Sequence, residues 1–198
     1  MKIDNKDTKQ HILDTGYRLM VSKGFSNVGL SEIHKTAGVP KGSFYYYFKS
    51  KEQFGKEVIS NYFDQYMNGL EELLNSSKGL AFDRLIAYWQ KWIDTQSSEC
   101  KERKCLVVKL SAEVADLSEP MRHVLLQGSM DVIERLALCL AEGVRDGSVG
   151  EVDPRSAAES LYTMWLGASL MSKLQRNSEP LLHAMKTTKS VLGNELAI

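Results

Sequence analysis

The chain has 198 residues, room for one large or two small domains with a sizeable core. Its 25 Lys and Arg balance its 25 Asp and Glu, so total charge names no partner, and 43% hydrophobic residues is ordinary for a globular protein. No apolar run reaches the ~20 residues of a membrane span, no secretory signal opens the chain, and three cysteines (Cys100, Cys105, Cys139) exclude a disulfide scaffold, so a reducing cytoplasm and no membrane partner are expected.

The spacing of apolar residues is helical throughout, and all four prolines (Pro40, Pro120, Pro154, Pro180) lie near inferred helix starts, so the expected fold is all-α. A first helix runs from Lys6 to Lys23, with Ile12, Leu13, Leu19 and Met20 on its apolar face and Gly24 as a left-handed cap. Leu30–Thr36 forms a second helix, Gly38 the turn, and Pro40–Tyr47 a third. Ser50 caps a long helix from Lys51 to Leu74, and residues 75–79 break it. Further helices are expected near 80–96, 104–114, 119–146, 154–175 and 179–193, with a polar loop or frayed end at 97–104 and a connector at 145–154. The division falls near Ser50, giving a head (1–50) and a helical body (51–198).

Charge is uneven along this layout. Residues 1–56 carry ten Lys and Arg against five Asp and Glu, and the remainder fifteen against twenty. An excess of cations in the head suits a polyanion, although chance clustering on a solvated face gives the same pattern. On the third helix, Lys41 and Ser43 sit in the first turn, and Gly42 lets backbone approach a duplex. Phe44 and Phe48 share a face and are expected to pack inward against Ile33 and Leu30. Tyr45, Tyr46 and Tyr47 fill much of the rest. Successive residues turn by ~100°, so three tyrosines cannot all enter one core, although any one of them can be packed. Exposed tyrosines offer phosphates a hydroxyl, and Lys51 stands ready for another phosphate at a helix start.

The run Leu30–Phe48, followed by Ser50-Lys51-Glu52, resembles the DNA-binding head of the TetR family of transcriptional repressors. The resemblance implies about nine helices, a homodimer through the last two helices, a body enclosing an effector pocket, and palindromic double-stranded operator DNA as partner. Lys41, Ser43, Tyr45, Tyr46, Tyr47 and Lys51 match DNA-contacting positions, and Ser31 matches a phosphate contact at the start of the second helix. Gly29 departs from the hydroxyl residue that many relatives carry.

In the body, Lys104-Cys-Leu-Val-Val-Lys-Leu-Ser-Ala-Glu-Val-Ala-Asp-Leu-Ser-Glu119, with Trp165-Leu-Gly-Ala-Ser169 and Lys173, is similar to the NemR-like branch of that family, which responds to electrophiles and oxidants. The resemblance makes Cys105 the sensor, with Lys173 near it. The local chemistry agrees: Lys101, Arg103, Lys104 and a helix start at Cys105 are expected to lower its thiol pKa. A buried, inert thiol is the alternative for Cys105, a core role is expected for Cys139, and Cys100 stays open as a second thiol. A second mode of induction is a reversible small hydrophobic ligand walled by Tyr88, Trp89, Trp92, Met164 and Trp165. The scattered His11, His34, His123 and His183 argue against a zinc site, and no cofactor is called for. No general base accompanies Cys105, so an enzyme is not expected.

Overall fold

Helical periodicity resolves into nine α-helices among the described residues of a computed structural model, which are 5–97 and 105–193. They are α1 (Asn5–Lys23), α2 (Leu30–Thr36), α3 (Lys41–Tyr47), α4 (Lys51–Leu73), α5 (Ala81–Ser97), α6 (Leu106–Leu117), α7 (Glu119–Asp146), α8 (Pro154–Gln175) and α9 (Glu179–Val191). The expected break after α4 contains a short 3-10 turn, Ser76–Lys78. Residues 98–104 of the expected polar segment lie outside the described residues. The chain divides into two compact units, residues 1–65 with 100–128 and residues 66–99 with 129–198. The unit around the head thus reaches past residue 50 and includes α6.

In the first unit, Gly38 turns the chain between α2 and α3 at φ 66, where a side chain would be strained. Phe44 and Phe48 are both fully buried, as their four-residue spacing anticipates. Both meet Phe54 of α4, with ring centroids 5.2 and 5.0 Å away, and lie 5.2 Å from each other. Gly16 of α1 lets the same cluster close, because a Cβ there would stand 2.3 Å from the Phe54 ring. α6 runs one turn further than 104–114. It ends at Ser118, whose hydroxyl accepts the Met121 N–H (3.3 Å) and so caps α7.

In the second unit, α9 packs on α5 and α8. The free carbonyl of Leu74, at the end of α4, accepts from two guanidinium groups, Arg84 Nη1 at 2.6 Å and Arg135 Nη2 at 2.8 Å. Cations at a helix C-terminus satisfy both its orphan carbonyls and its dipole. Arg84 is buried and also pairs with Glu142 at 2.7 Å. Asp153 caps α8 by accepting the Ser156 N–H at 2.7 Å, just before Pro154.

Phe54→Ala leaves a void beneath two other rings. It should cost about 3–5 kcal/mol of unfolding free energy in a denaturant melt.

Candidate nucleic-acid interface and sensor site

The inward set of phenylalanines decides which residues α3 presents. Tyr46 is 74% exposed and Tyr45 is 45% exposed, while Tyr47 is half-buried with its ring edge against Tyr46. Lys41 is exposed and lies 5.7 Å over the Tyr45 ring, a cation held on an aromatic platform. Gly42 is exposed with open space where a Cβ would be, Ser43 is half-buried, and Ser31 is exposed at the start of α2. The structure thus brings Lys41, Gly42, Tyr45 and Tyr46 onto the open face of one short helix.

Lys51 is half-buried rather than free. Its ammonium donates to the Ser26 carbonyl (3.2 Å) and sits 4.5 Å over the Phe25 ring. Burial lowers its pKa and the nearby Glu113 pushes it back up. Glu113 of α6 accepts the Phe25 N–H at 3.0 Å and the Ser26 N–H at 2.6 Å. Burial raises the Glu113 carboxyl, but bonds from the Ser26 hydroxyl, the Ser26 N–H and the Phe25 N–H, with Lys109, hold it below the ordinary value. Sequence reasoning missed Glu113 as a functional residue. It lies inside the quoted Cys105 run, yet its partners are 87 and 88 residues away, and no local pattern links them.

Cys105 occupies the N-cap of α6 and is half-buried. The Tyr62 hydroxyl points at its sulfur from 4.0 Å, and Tyr17 stacks on Tyr62 at 5.8 Å between centroids. The expected lowering of the thiol pKa is not found. Burial dominates and pushes the thiol up, while the Val108 N–H, the Tyr62 hydroxyl and the Val107 N–H pull it part of the way back. The dipole of a helix start is worth about 0.3–1 kcal/mol, less than the cost of desolvating a thiolate. Lys101, Arg103 and Lys104, on which that expectation also rested, lie outside the described residues, as does Cys100. Tyr17 is raised to about 12 by burial and by Cys105, so its phenol stays neutral beside the sulfur. Cys139 is fully buried and pushed up to about 11, chiefly by burial.

In the second unit, the proposed pocket wall is largely a packed aromatic core. Trp89 and Trp165 stack at 4.7 Å and 11°, and Tyr88 and Trp92 pack around them. Trp92 and Trp165 donate to Ser169 (2.8 Å) and Thr188 (2.9 Å), and the Tyr88 hydroxyl bonds that of Tyr66 at 2.7 Å. Met164 is half-buried and Lys173 is exposed. Trp89 Nε1 is buried and has no hydrogen-bond partner among the described residues. No group of three or more His, Cys, Asp or Glu among the described residues could hold a metal ion, and no described helix is long and apolar enough to cross a membrane.

Comparison with known families decides the identity. Residues 12–58 match the model for bacterial regulatory proteins of the tetR family. Residues 81–188 match a tetracyclin repressor-like C-terminal domain. The chain is 43% identical to the HTH-type transcriptional repressor NemR of Escherichia coli strain K12 over 190 residues, covering 94% of each chain. The chain belongs to the TetR family. Another relative, the HTH-type transcriptional repressor DhaR of Mycobacterium sp. strain GP1, is 32% identical over 87% of this chain and 86% of its own. The crystal structure of the reduced form of E. coli NemR superposes with a TM-score of 0.91 at 42% identity, covering 96% of this chain and all of that one. As a TetR protein the chain is a DNA-binding regulator of transcription and not an enzyme.

Because burial outweighs the helix dipole at Cys105, its alkylation by iodoacetamide should still accelerate as pH rises past the range in which an ordinary thiol has finished ionising. Peptide mapping by mass should find Cys139 labelled more slowly at every pH.

Proposed function

We propose that the chain is a homodimeric repressor that leaves a palindromic operator when a small electrophile or oxidant modifies Cys105. The observation that carries the DNA reading is the exposed Lys41–Tyr45–Tyr46 face of α3, backed by buried Phe44 and Phe48. Lys41, Ser43, Tyr45, Tyr46 and Tyr47 would meet the major groove and its phosphates, with Ser31 and Lys51 on flanking phosphates and Gly42 permitting close approach. Residues 1–50 serve as the DNA-binding domain and 51–198 as the sensing and dimerising body. The cytoplasm is the compartment this role requires.

Dimerisation through α8 and α9 is supported by apolar side chains that the single chain leaves exposed: Leu170, Met171 and Leu174 on α8, and Leu182 and Val191 on α9. A two-fold axis there matches a palindromic operator.

Cysteine sensing is supported by the likeness to NemR, whose crystal structure is described as a reduced form, and by the position of Cys105 at the first turn of α6. With an α,β-unsaturated aldehyde, the thiolate sulfur adds to the β-carbon. A C–S bond forms, the C=C π bond breaks, and the α-carbon takes a proton from water. The second reading, a reversible hydrophobic ligand in the body with Met164 as a further wall residue, is favoured by one observation: the buried Trp89 Nε1 lacks an acceptor among the described residues, beside Tyr88, Trp92 and Trp165.

A duplex enriched from random sequence by the full chain serves as the operator in mobility shifts. Lys41→Ala should weaken binding and flatten its logarithmic salt dependence by about one unit for each phosphate the side chain neutralises. Acrolein should release the wild type with one added mass on Cys105, and Cys105→Ser should stay bound. Release that is unchanged in Cys105→Ser and reversed by dialysis would transfer the case to the reversible ligand. Leu174→Glu should sediment as a monomer and lose operator affinity.

A further inference from the structure

We infer that Glu113 is a positioning residue for operator binding: from α6 it grips the Phe25–Ser26 turn and through that turn seats Lys51. The inference rests on the DNA-binding reading above but not on the identity of the trigger.

The turn between α1 and α2 is irregular, so the Phe25 and Ser26 N–H groups need partners from elsewhere. A single carboxylate takes both, at 3.0 and 2.6 Å, together with the Ser26 hydroxyl. The same two residues hold Lys51, the Ser26 carbonyl at 3.2 Å and the Phe25 ring at 4.5 Å. Phe25 and Ser26 are therefore held by both an anion and a cation, and the two charges attract each other. Charge-assisted bonds of this kind are stronger and shorter than neutral ones.

Two more observations fit the latch. Gly24 has φ 84, and a Cβ there would stand 2.8 Å from Glu113 Oε2, so the carboxylate fills space that a side chain would take. A second tie joins the end of the same helix to α4: the Ser118 hydroxyl donates to Glu52 at 2.6 Å, one residue beyond Lys51. α6 is thus fastened to the chain on both sides of α2 and α3, and Cys105 is its N-cap. A twelve-residue helix is a stiff rod of about 18 Å. When the rod shifts, the turn moves with it and Lys51 loses its seat.

The test uses the purified full chain and the enriched duplex. Glu113→Ala should weaken operator binding about tenfold, and Glu113→Gln, which keeps an amide oxygen as acceptor, should recover part of that loss. Lys51→Ala should weaken binding by itself, and Glu113→Ala added to it should cost little more, because one acts through the other. Hydrogen exchange at the Phe25 and Ser26 amides should speed up in Glu113→Ala while helical circular dichroism is retained. Unaltered affinity in Glu113→Ala, or losses that simply add in the double variant, would overturn the inference. Should the wild type bind no duplex at all, the repressor reading falls. The latch is then judged by exchange alone, and unaltered exchange at Phe25 and Ser26 overturns it. With acrolein present, Glu113→Ala should show a smaller ratio of free to modified affinity than the wild type. An undiminished ratio overturns the role of α6 in transmission, whereas a wild type that ignores acrolein overturns only the thiol trigger.

Discussion

A seven-residue helix has almost no stability of its own, because nucleation costs more than its few hydrogen bonds return. α3 exists because Phe44 and Phe48 are buried against Phe54, each ring being worth about 1.5–3 kcal/mol removed from water. That burial also fixes the helix's rotation. Once the two phenylalanines face α4, Lys41, Tyr45 and Tyr46 are forced outward and Tyr47 is left on the flank. The surface proposed to face DNA is therefore a by-product of core packing, and its rigidity is inherited from that core. Gly16 belongs to the same constraint, since α1 closes on Phe54 only where no side chain intervenes.

Much of this was legible from local pattern. The four-residue spacing of Phe44 and Phe48, the glycine at 38 and the serine at 50 each act within one or two turns of chain, where periodicity and capping rules operate. Ser50 does cap α4, its hydroxyl accepting the Gln53 N–H at 3.0 Å. What stayed hidden depends on distance in sequence. Nothing near Glu113 announces that it will accept amides from Phe25 and Ser26, and nothing near Leu74 announces that Arg84 and Arg135 will share its carbonyl. Lys51 illustrates the difference. Its place at the start of α4 was readable, but its engagement with Phe25 and Ser26 was not.

The thiol is where sequence chemistry misled, and the reason is a competition of magnitudes. A cap position argues for a thiolate, and that effect is real but small. Removing a charge from water costs more, and burial of Cys105 outweighs the pull of the Tyr62 hydroxyl at 4.0 Å and of the Val107 and Val108 N–H groups. Degree of burial is a tertiary property that a run of residues does not state.

A thiol kept largely protonated reacts slowly with whatever diffuses past, which for a sensor is a gain in selectivity: only small or abundant electrophiles reach and consume it. The same enclosure makes the reaction consequential. Close-packed interiors do not absorb added atoms without displacement. On the proposed reading, an adduct on the N-cap of α6 must push against Tyr62 of α4 or move the start of α6 itself. Tyr62 is backed by the Tyr17 ring, so the helix start is the softer of the two. Since α6 is tied through Glu113 and Ser118 to the segments that flank α2 and α3, displacement at its N-cap is on this reading delivered where Lys51 sits. Burial that raises the thiol's pKa thus also gives its modification mechanical purchase, and a fully exposed cysteine with a lower pKa would have reacted faster and moved nothing.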